Sequence, residues 1–130
     1  MTAITPVIEK AIADIRSSFP ECQVDAEPDG SSGAHVMVRE MPLGPPYAQQ
    51  TIWVGFQITF QYPYADVYPH FTCADLKRAD GRALGEGLAP ASHRGRPAMQ
   101  ISRRSNKLNP ATDTAALKLL KVMQWLRTHP

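Results

Sequence analysis

The reactive side chains of this sequence offer few conventional sites. Its two cysteines, Cys22 and Cys73, lie far apart, and neither belongs to a Cys-x-x-Cys pair or stands among histidines at metal-ligand spacing. We therefore expect no metal site and no cofactor. Cys73 is the one thiol near basic residues, where a thiol can be activated. It follows Phe71 in an apolar stretch, however, and is better explained as a small buried hydrophobic residue.

Positive charge is concentrated in one segment. Residues 76–107 contain eight basic and two acidic side chains, a local charge of +6, although the net charge of the whole chain is only +2. Guanidinium groups make forked, charge-assisted bonds to carboxylates, so this segment predicts a docking surface for an acidic partner or a C-terminal carboxylate. A solvated loop is the alternative. The arginines expected to form the surface are Arg94, Arg96, Arg103 and Arg104.

The first half of the chain contains clear helix and strand patterns. Pro6 after Thr5 is typical of a helix start, and apolar residues at helical spacing predict a helix over residues 6–18. A short strand is expected at residues 23–24, and period-two alternation predicts strands over residues 34–40 and 51–60. The inward residues of the last strand are expected to be Ile52, Val54, Phe56, Ile58 and Phe60.

The second half is less regular. Pro63 and Pro69 cannot donate ladder hydrogen bonds, so they predict a bent, packed connection before a fourth strand near residues 71–73. Residues 77–109 show no periodicity, and so long an irregular segment is either functional or disordered. Residues 110–113 lead into a final helix that ends near Arg127. The predicted buried stripe of this helix is Ala116, Leu119, Leu120, Met123 and Leu126.

These patterns predict one α+β domain over residues 1–130, with an N-terminal helix, a four-stranded antiparallel meander, a long loop and a C-terminal helix. No apolar run is long enough to span a bilayer, so we expect no membrane partner. The first residues lack the pattern of a signal peptide, which favours a cytoplasmic protein. The basic segment has no interleaved aromatic residues and no known motif, so no nucleic-acid partner is expected.

Several motifs in residues 60–126 resemble the ubiquitin-conjugating (UBC-like) family. In that family a Tyr-Pro turn with a second proline precedes the fourth strand, and an Asn/Ser-Pro step opens the helix after the active-site loop. The matching parts here are Tyr62-Pro63, Pro69 and Asn109-Pro110. Further motifs are similar to a compact bacterial group found with ubiquitin-like proteins, activating enzymes of the ThiF type and JAB-type proteases. These are Asp80-Gly-Arg82, Gly95-Arg-Pro97 and Gln100-Ile-Ser-Arg103.

The sequence departs from the family at its active-site cysteine, which is missing. Residues 99–105 fill that place; Ser102 is the best match to the cysteine and Ser105 the second. As a nucleophile Ser102 would form an oxyester and would need a base and oxyanion donors; as a structural residue it would bond the loop backbone. The expected supporting groups are His93 as the base, with Gln100 and Arg103 as donors.

The resemblance implies two functions. In the first, the chain is a carrier that receives the C-terminus of a ubiquitin-like protein from the activating enzyme on Ser102. It then passes this acyl group to an amine, as a transferase. In the alternative, the chain is a non-catalytic variant that binds the ubiquitin-like protein or the activating enzyme as a scaffold. This second function depends on the arginines, Arg103 and Arg104 above all, and not on Ser102.

Overall fold

The computed structural model describes residues 4–105 and 107–128, which form two helices and one antiparallel sheet. The helices are α1 (Pro6–Ser18) and α2 (Ala115–Thr128). The strands are β1 (Gln23–Pro28), β2 (Ala34–Pro42), β3 (Thr51–Ile58), β4 (His70–Cys73), β5 (Leu88–His93) and β6 (Arg96–Ile101). The architecture is α+β, as predicted, but the sheet has six strands, and the prediction of four was wrong.

Helix α1 occupies the predicted range. Pro6 stands in the first turn, where its missing N–H removes a donor that would have no partner within the helix. The carbonyl of Thr5 accepts the first helical hydrogen bond, from the amide of Glu9 at 2.9 Å. The buried stripe that faces the core consists of Ile8, Ala11, Ile12 and Ile15.

Strands β1 to β4 form the predicted antiparallel meander. The strand order across the sheet is β1-β2-β3-β4-β6-β5. In β3, Val54, Phe56 and Ile58 are fully buried and belong to the same core cluster as the helix residues. Trp53 and Gln57 alternate with them and point to the other face of the sheet. Both helices therefore cover one face of the sheet.

Two predicted core residues lie at the surface instead. β3 ends at Ile58, so the alternation does not extend to Phe60, whose residue surface is 61% exposed in the following turn. In α2 the buried stripe is centred on Leu119, and Leu120 is rotated by about 100° from it. Leu120 is consequently 49% exposed. The remaining predicted stripe residues, Ala116, Leu119, Met123 and Leu126, are buried.

The segment expected to be wholly irregular, residues 77–109, contains the hairpin of β5 and β6. Arg94 and Gly95 form its two-residue turn with φ angles of 51° and 84°, the signs that a type I′ turn requires. β5 is an edge strand, where Pro90 is tolerated because one side of the strand has no ladder to complete. β6 pairs with β4 on its other side, so the hairpin extends the meander. The prediction was therefore wrong for residues 88–101.

The connection between β3 and β4 is bent and packed, as predicted. Its residues, 59–69, contain no strand, and the peptide bonds before Pro63 and Pro69 are cis. Tyr62 is buried, and its hydroxyl oxygen accepts a hydrogen bond of 3.1 Å from the amide of Ala115. This bond satisfies one of the amides left without a partner at the start of α2, so the connection fixes where α2 begins.

Candidate functional site

The segment that follows β6, residues 102–105, runs along the rim of the sheet, and we call it the rim segment. Ser102 is half-buried, and its amide donates a 2.8 Å hydrogen bond to the carbonyl of Gly87. The side-chain amide of Gln100 donates to the Ser102 hydroxyl at 3.1 Å. Of the predicted catalytic residues, the structure thus brings together Ser102, Gln100 and the neighbouring Arg103.

His93, the predicted base, lies at the other end of the β5–β6 hairpin. His93 pairs with Arg96 across the turn. Ser102 follows Arg96 by six residues, which corresponds to about 20 Å along an extended strand. Its buried ring stacks on Phe71 with centroids 4.6 Å apart, in space that a Cβ at Gly55 would fill. The prediction that His93 serves Ser102 was wrong, because the loop is a hairpin that separates them.

The local surroundings of Ser102 do not activate its hydroxyl. Within the part of the chain that the structure describes, its hydrogen-bond partner is the Gln100 side-chain amide, and an amide does not accept the proton of an attacking hydroxyl. A serine hydroxyl is almost wholly un-ionised at neutral pH and needs such an acceptor. Ser102 is therefore accessible, but no group in the described residues activates its hydroxyl.

Ser105, the second candidate acceptor, belongs to a polar cluster with Asp66 and Lys118. Its amide and hydroxyl donate to the Asp66 carboxylate at 2.7 and 2.9 Å, and the Lys118 ammonium contacts that carboxylate at 3.0 Å and the Ser105 oxygen at 3.0 Å. Burial alone raises the pKa of Asp66, but the hydrogen bonds from Ser105 and Lys118 outweigh it and hold the pKa below its usual value. Asp66 thus stays ionised and is a weaker base than an ordinary carboxylate, so it is poorly suited to take the proton of Ser105. Its contacts instead tie the rim segment to the β3–β4 connection and to α2.

The two arginines of the rim segment lie on aromatic rings. The Arg103 guanidinium stands 4.9 Å from the centroid of Trp125, and that of Arg104 stands 4.2 Å from the centroid of Tyr68. Neither forms an ion pair with a carboxylate of residues 4–105 or 107–128. Stacking holds both groups in place by cation–π attraction while leaving their charge uncompensated.

A cleft of about 280 Å³ opens between the rim segment and α2, and we call it the basic cleft. Two of its cations have their own carboxylates: Lys118 pairs with Asp66, and Lys121 lies 3.8 Å from Asp113. The other two cations, Arg103 and Arg104, have no carboxylate partner in residues 4–105 or 107–128. The residues that line the cleft are Arg103, Arg104, Ser105, Asp113, Lys118, Lys121, Val122 and Trp125.

Arg94 and Arg96 do not belong to the basic cleft. They lie at the turn of the hairpin: Arg94 is a turn residue and forms an ion pair with Glu27, and Arg96 follows the turn and lies 5.7 Å from the Trp53 ring centroid. The expectation that four arginines form one docking surface was therefore wrong. The hairpin places one pair at each of its ends. Among the described residues, Arg103 and Arg104 both lack a carboxylate partner, whereas at the turn Arg94 is paired with Glu27 and Arg96 alone is unpaired.

The cysteines show no sign of activation. Cys73 is half-buried in β4, and burial is the main cause that raises the pKa of its thiol above the usual value. Burial, followed by the nearby Glu21, does the same for Cys22. Both thiols are therefore protonated at neutral pH and poor nucleophiles. The described residues contain no group of three or more histidine, cysteine or carboxylate side chains placed to hold a metal ion.

Three residues of the site were not assigned a functional role from the sequence. Asp66 stands in the Tyr-Pro connection, whose prolines predict only its bent path, and Trp125 carries no sequence motif that points to a function. Lys118 offered a usable signal: it lies one position before Leu119 and three after Ala115, on the buried stripe of α2. A lysine on such a stripe is almost never buried without a partner, which points to a carboxylate elsewhere in the fold.

Comparison with family models, with curated proteins and with solved structures finds no match to this chain. In the described part of the chain, neither helix has the length and apolar character needed to cross a membrane. Membership of the UBC-like family therefore stays a prediction from the motifs, whereas the α+β fold is shown by the structure.

Proposed function

We propose that this chain is a non-catalytic, UBC-like binding module of a bacterial ubiquitin-like conjugation pathway. The basic cleft takes an acidic surface or the terminal carboxylate of the ubiquitin-like protein, and the chain acts as a scaffold beside a ThiF-type activating enzyme. The observation that carries the proposal is the pair Arg103 and Arg104, stacked on rings and free of carboxylate partners in the described residues.

The position of the cleft supports this role. By the resemblance of the motifs, residues 99–105 match the stretch in which the UBC-like family keeps its thiol, which supports a partner approaching the rim segment. The guanidinium carbon of each arginine lies over a ring, at 4.9 Å for Arg103 and 4.2 Å for Arg104, and the guanidinium N–H groups have no acceptor among the described residues, so they are available for forked bonds to carboxylates. The Ser102 hydroxyl contacts an amide and no base among the described residues, which favours binding over catalysis.

Titration calorimetry of this chain with a bacterial ubiquitin-like protein tests the proposal. Reversing both charges, in the double variant Arg103→Glu and Arg104→Glu, is expected to weaken binding at least about tenfold per lost charge-assisted bond. Ser102→Ala is expected to bind as the wild type does. Arg82→Glu is the matched control, because Arg82 carries the same charge on a side chain that is 82% exposed and lies outside the cleft.

Two outcomes contradict the proposal. One is that the double reversal leaves the affinity unchanged; the other is that Arg82→Glu weakens binding by the same factor. Increasing ionic strength should weaken the wild-type complex as well, since exposed charges are screened within about 10 Å at 0.1 M salt. A complex indifferent to salt would place the binding surface elsewhere.

The carrier is the second candidate, and the contact between Gln100 and Ser102 favours it. An amide donor 3.1 Å from the hydroxyl oxygen stands close to where an oxyanion would form during acyl transfer. In that reaction the hydroxyl attacks the activated C-terminal carbonyl, its proton passes to water, and AMP or the activating enzyme's thiol leaves as the ester forms. An amine then attacks the ester carbonyl, an amide forms, and the C–O bond to Ser102 breaks to restore the hydroxyl.

Incubation with the ubiquitin-like protein, the activating enzyme and ATP distinguishes the two candidates. The carrier requires an adduct that survives thiol reductant, is cleaved by mild base and disappears in Ser102→Ala. The binding module predicts no covalent adduct and retains the non-covalent complex. An adduct of this kind would therefore replace the first proposal by the second.

A further inference from the structure

We propose that the basic cleft recognises a phosphate monoester group, either free or on a partner's side chain. The inference deepens the proposed function by naming a ligand chemistry, and it rests on that function only in using the same cleft. Two observations support it: the balance of charge within the cleft, and the guanidinium N–H groups of Arg103 and Arg104, which have no acceptor among the described residues.

The charge balance of the cleft matches a dianion. Lys118 and Lys121 each have a carboxylate within 4 Å, so Arg103 and Arg104 supply an excess of two positive charges. A phosphate monoester carries about −1.5 to −2 charges at neutral pH. A single carboxylate carries one and would leave an arginine charge unbalanced, which makes the phosphate group the better complement.

The available donors also suit a phosphate group. The Lys118 ammonium donates three hydrogen bonds within the described residues, two to the Asp66 carboxylate and one to the Ser105 oxygen. Its N–H groups are therefore already used. Each guanidinium, by contrast, keeps its in-plane N–H groups, and no hydrogen bond joins either Arg103 or Arg104 to a residue that the structure describes. Arginine forks bind the oxygens of phosphate in pairs, and the contact with a ring restrains each guanidinium before the phosphate binds.

The same stacking argues against a nucleic-acid strand. Single-stranded nucleic acids need exposed rings on which successive bases stack. Here the rings of Trp125 and Tyr68 are already covered by Arg103 and Arg104. The cleft therefore offers charge to one phosphate group and no platform to a chain of bases.

Fluorescence of Trp125 gives a direct readout, because Arg103 lies on its ring. The variant Trp53→Phe leaves Trp125 as the only tryptophan of the chain and is the background for every titration. Inorganic phosphate, phosphoserine and acetate are titrated at constant ionic strength, with calorimetry as the second measurement. We expect saturable binding of both phosphates and at least about tenfold weaker binding of acetate, since one charge-assisted bond is worth about that factor.

Matched variants locate the binding. Arg103→Gln and Arg104→Gln are each expected to lower the affinity for phosphate about tenfold, while Arg82→Gln, outside the cleft, leaves it unchanged. Tighter binding of phosphoserine than of inorganic phosphate identifies a protein-borne group, and equal binding identifies the free phosphate group as sufficient. Thermal unfolding of each variant shows that the exposed substitutions leave the fold intact.

Absence of saturable binding of either phosphate at millimolar concentrations, with folded protein, overturns the inference. So does a loss in Arg82→Gln equal to that in the cleft variants. The proposed function fails separately: if the ubiquitin-like protein binds through the cleft and phosphate does not, only the phosphate inference falls. If phosphate binds and the ubiquitin-like protein does not, only the proposed function falls.

Discussion

Lowering the pH should destabilise this protein through one core residue, His70. Its side chain is fully buried, its ring centroid lies 4.9 Å from that of Phe56, and neither ring nitrogen has a hydrogen-bond partner in the described residues. Burial, helped by the charge of Lys118, lowers the pKa of His70 to about 3. The ring is therefore neutral in the folded protein at any pH above about 4, whereas an unfolded histidine titrates near 6.5.

The sign and size of the effect follow from this difference. Below about pH 6.5 the unfolded chain binds a proton at His70 that the folded protein does not, so stability is lost as the pH falls. The free energy of unfolding decreases by about 1.4 kcal/mol per pH unit, or about 2 kcal/mol between pH 6.5 and pH 5. This value hardly depends on the folded pKa, provided that it stays well below 5.

Urea unfolding at the two pH values measures the effect, with His70→Leu as the comparison. Leucine keeps an apolar contact with Phe56 and removes the two ring nitrogens, so this variant should lose about 2 kcal/mol less than the wild type over the same range. His35 and His93, whose pKa values burial also lowers, remain in both proteins and cancel in the difference. Equal pH dependence of the two proteins would refute the reasoning.

Two substitutions test the supports of the basic cleft by urea unfolding. Lys118→Met leaves the Asp66 carboxylate without its ammonium and should lower the free energy of unfolding by about 3 kcal/mol. The Lys121 side chain is 61% exposed, so Lys121→Met should lower it by less than about 1 kcal/mol. Equal losses would contradict the buried pairing of Lys118 with Asp66. Gly87→Ala adds a Cβ that meets the Trp125 ring at 2.8 Å at a φ of +90°, and should cost about 1 kcal/mol more than Gly81→Ala, which has a similar φ and open space. The contact argument fails if the two alanines cost the same.

The elements with a strong local pattern were predictable from the sequence. Helix α1 and the strands around residues 34–40 and 51–58 lie where periodicity placed them, because each buries one face and the spacing of apolar residues records that face. Phe60 shows the limit of the method. The alternation continues past the point where pairing stops, and the end of a strand is set by its neighbour and not by its own residues.

The β5–β6 hairpin could not be predicted from local sequence patterns. Pro90 and the exposed pattern of β5 are those of an edge strand, which needs little apolar alternation. Its turn, Arg94-Gly95, carries a glycine at only one of its two positive-φ positions, so the usual Asn-Gly or Gly-Gly signal is absent. What fixes the hairpin is the pairing of β6 with β4, a long-range contact that no local pattern reveals.

This hairpin also explains why only part of the candidate site was predicted. An irregular loop places no lower limit on the distance between its residues. For this reason His93 was expected to lie beside Ser102, and the four arginines were expected to form one surface. A six-residue strand acts as a rigid spacer of about 20 Å between its two ends. Once it is in place, the four arginines divide into two pairs: Arg94 and Arg96 at the turn, where Arg94 is paired with Glu27, and Arg103 and Arg104 in a cleft with an excess of two positive charges. Affinity for an anion at the cleft should consequently depend on Arg103 and Arg104 and be insensitive to Arg94 and Arg96.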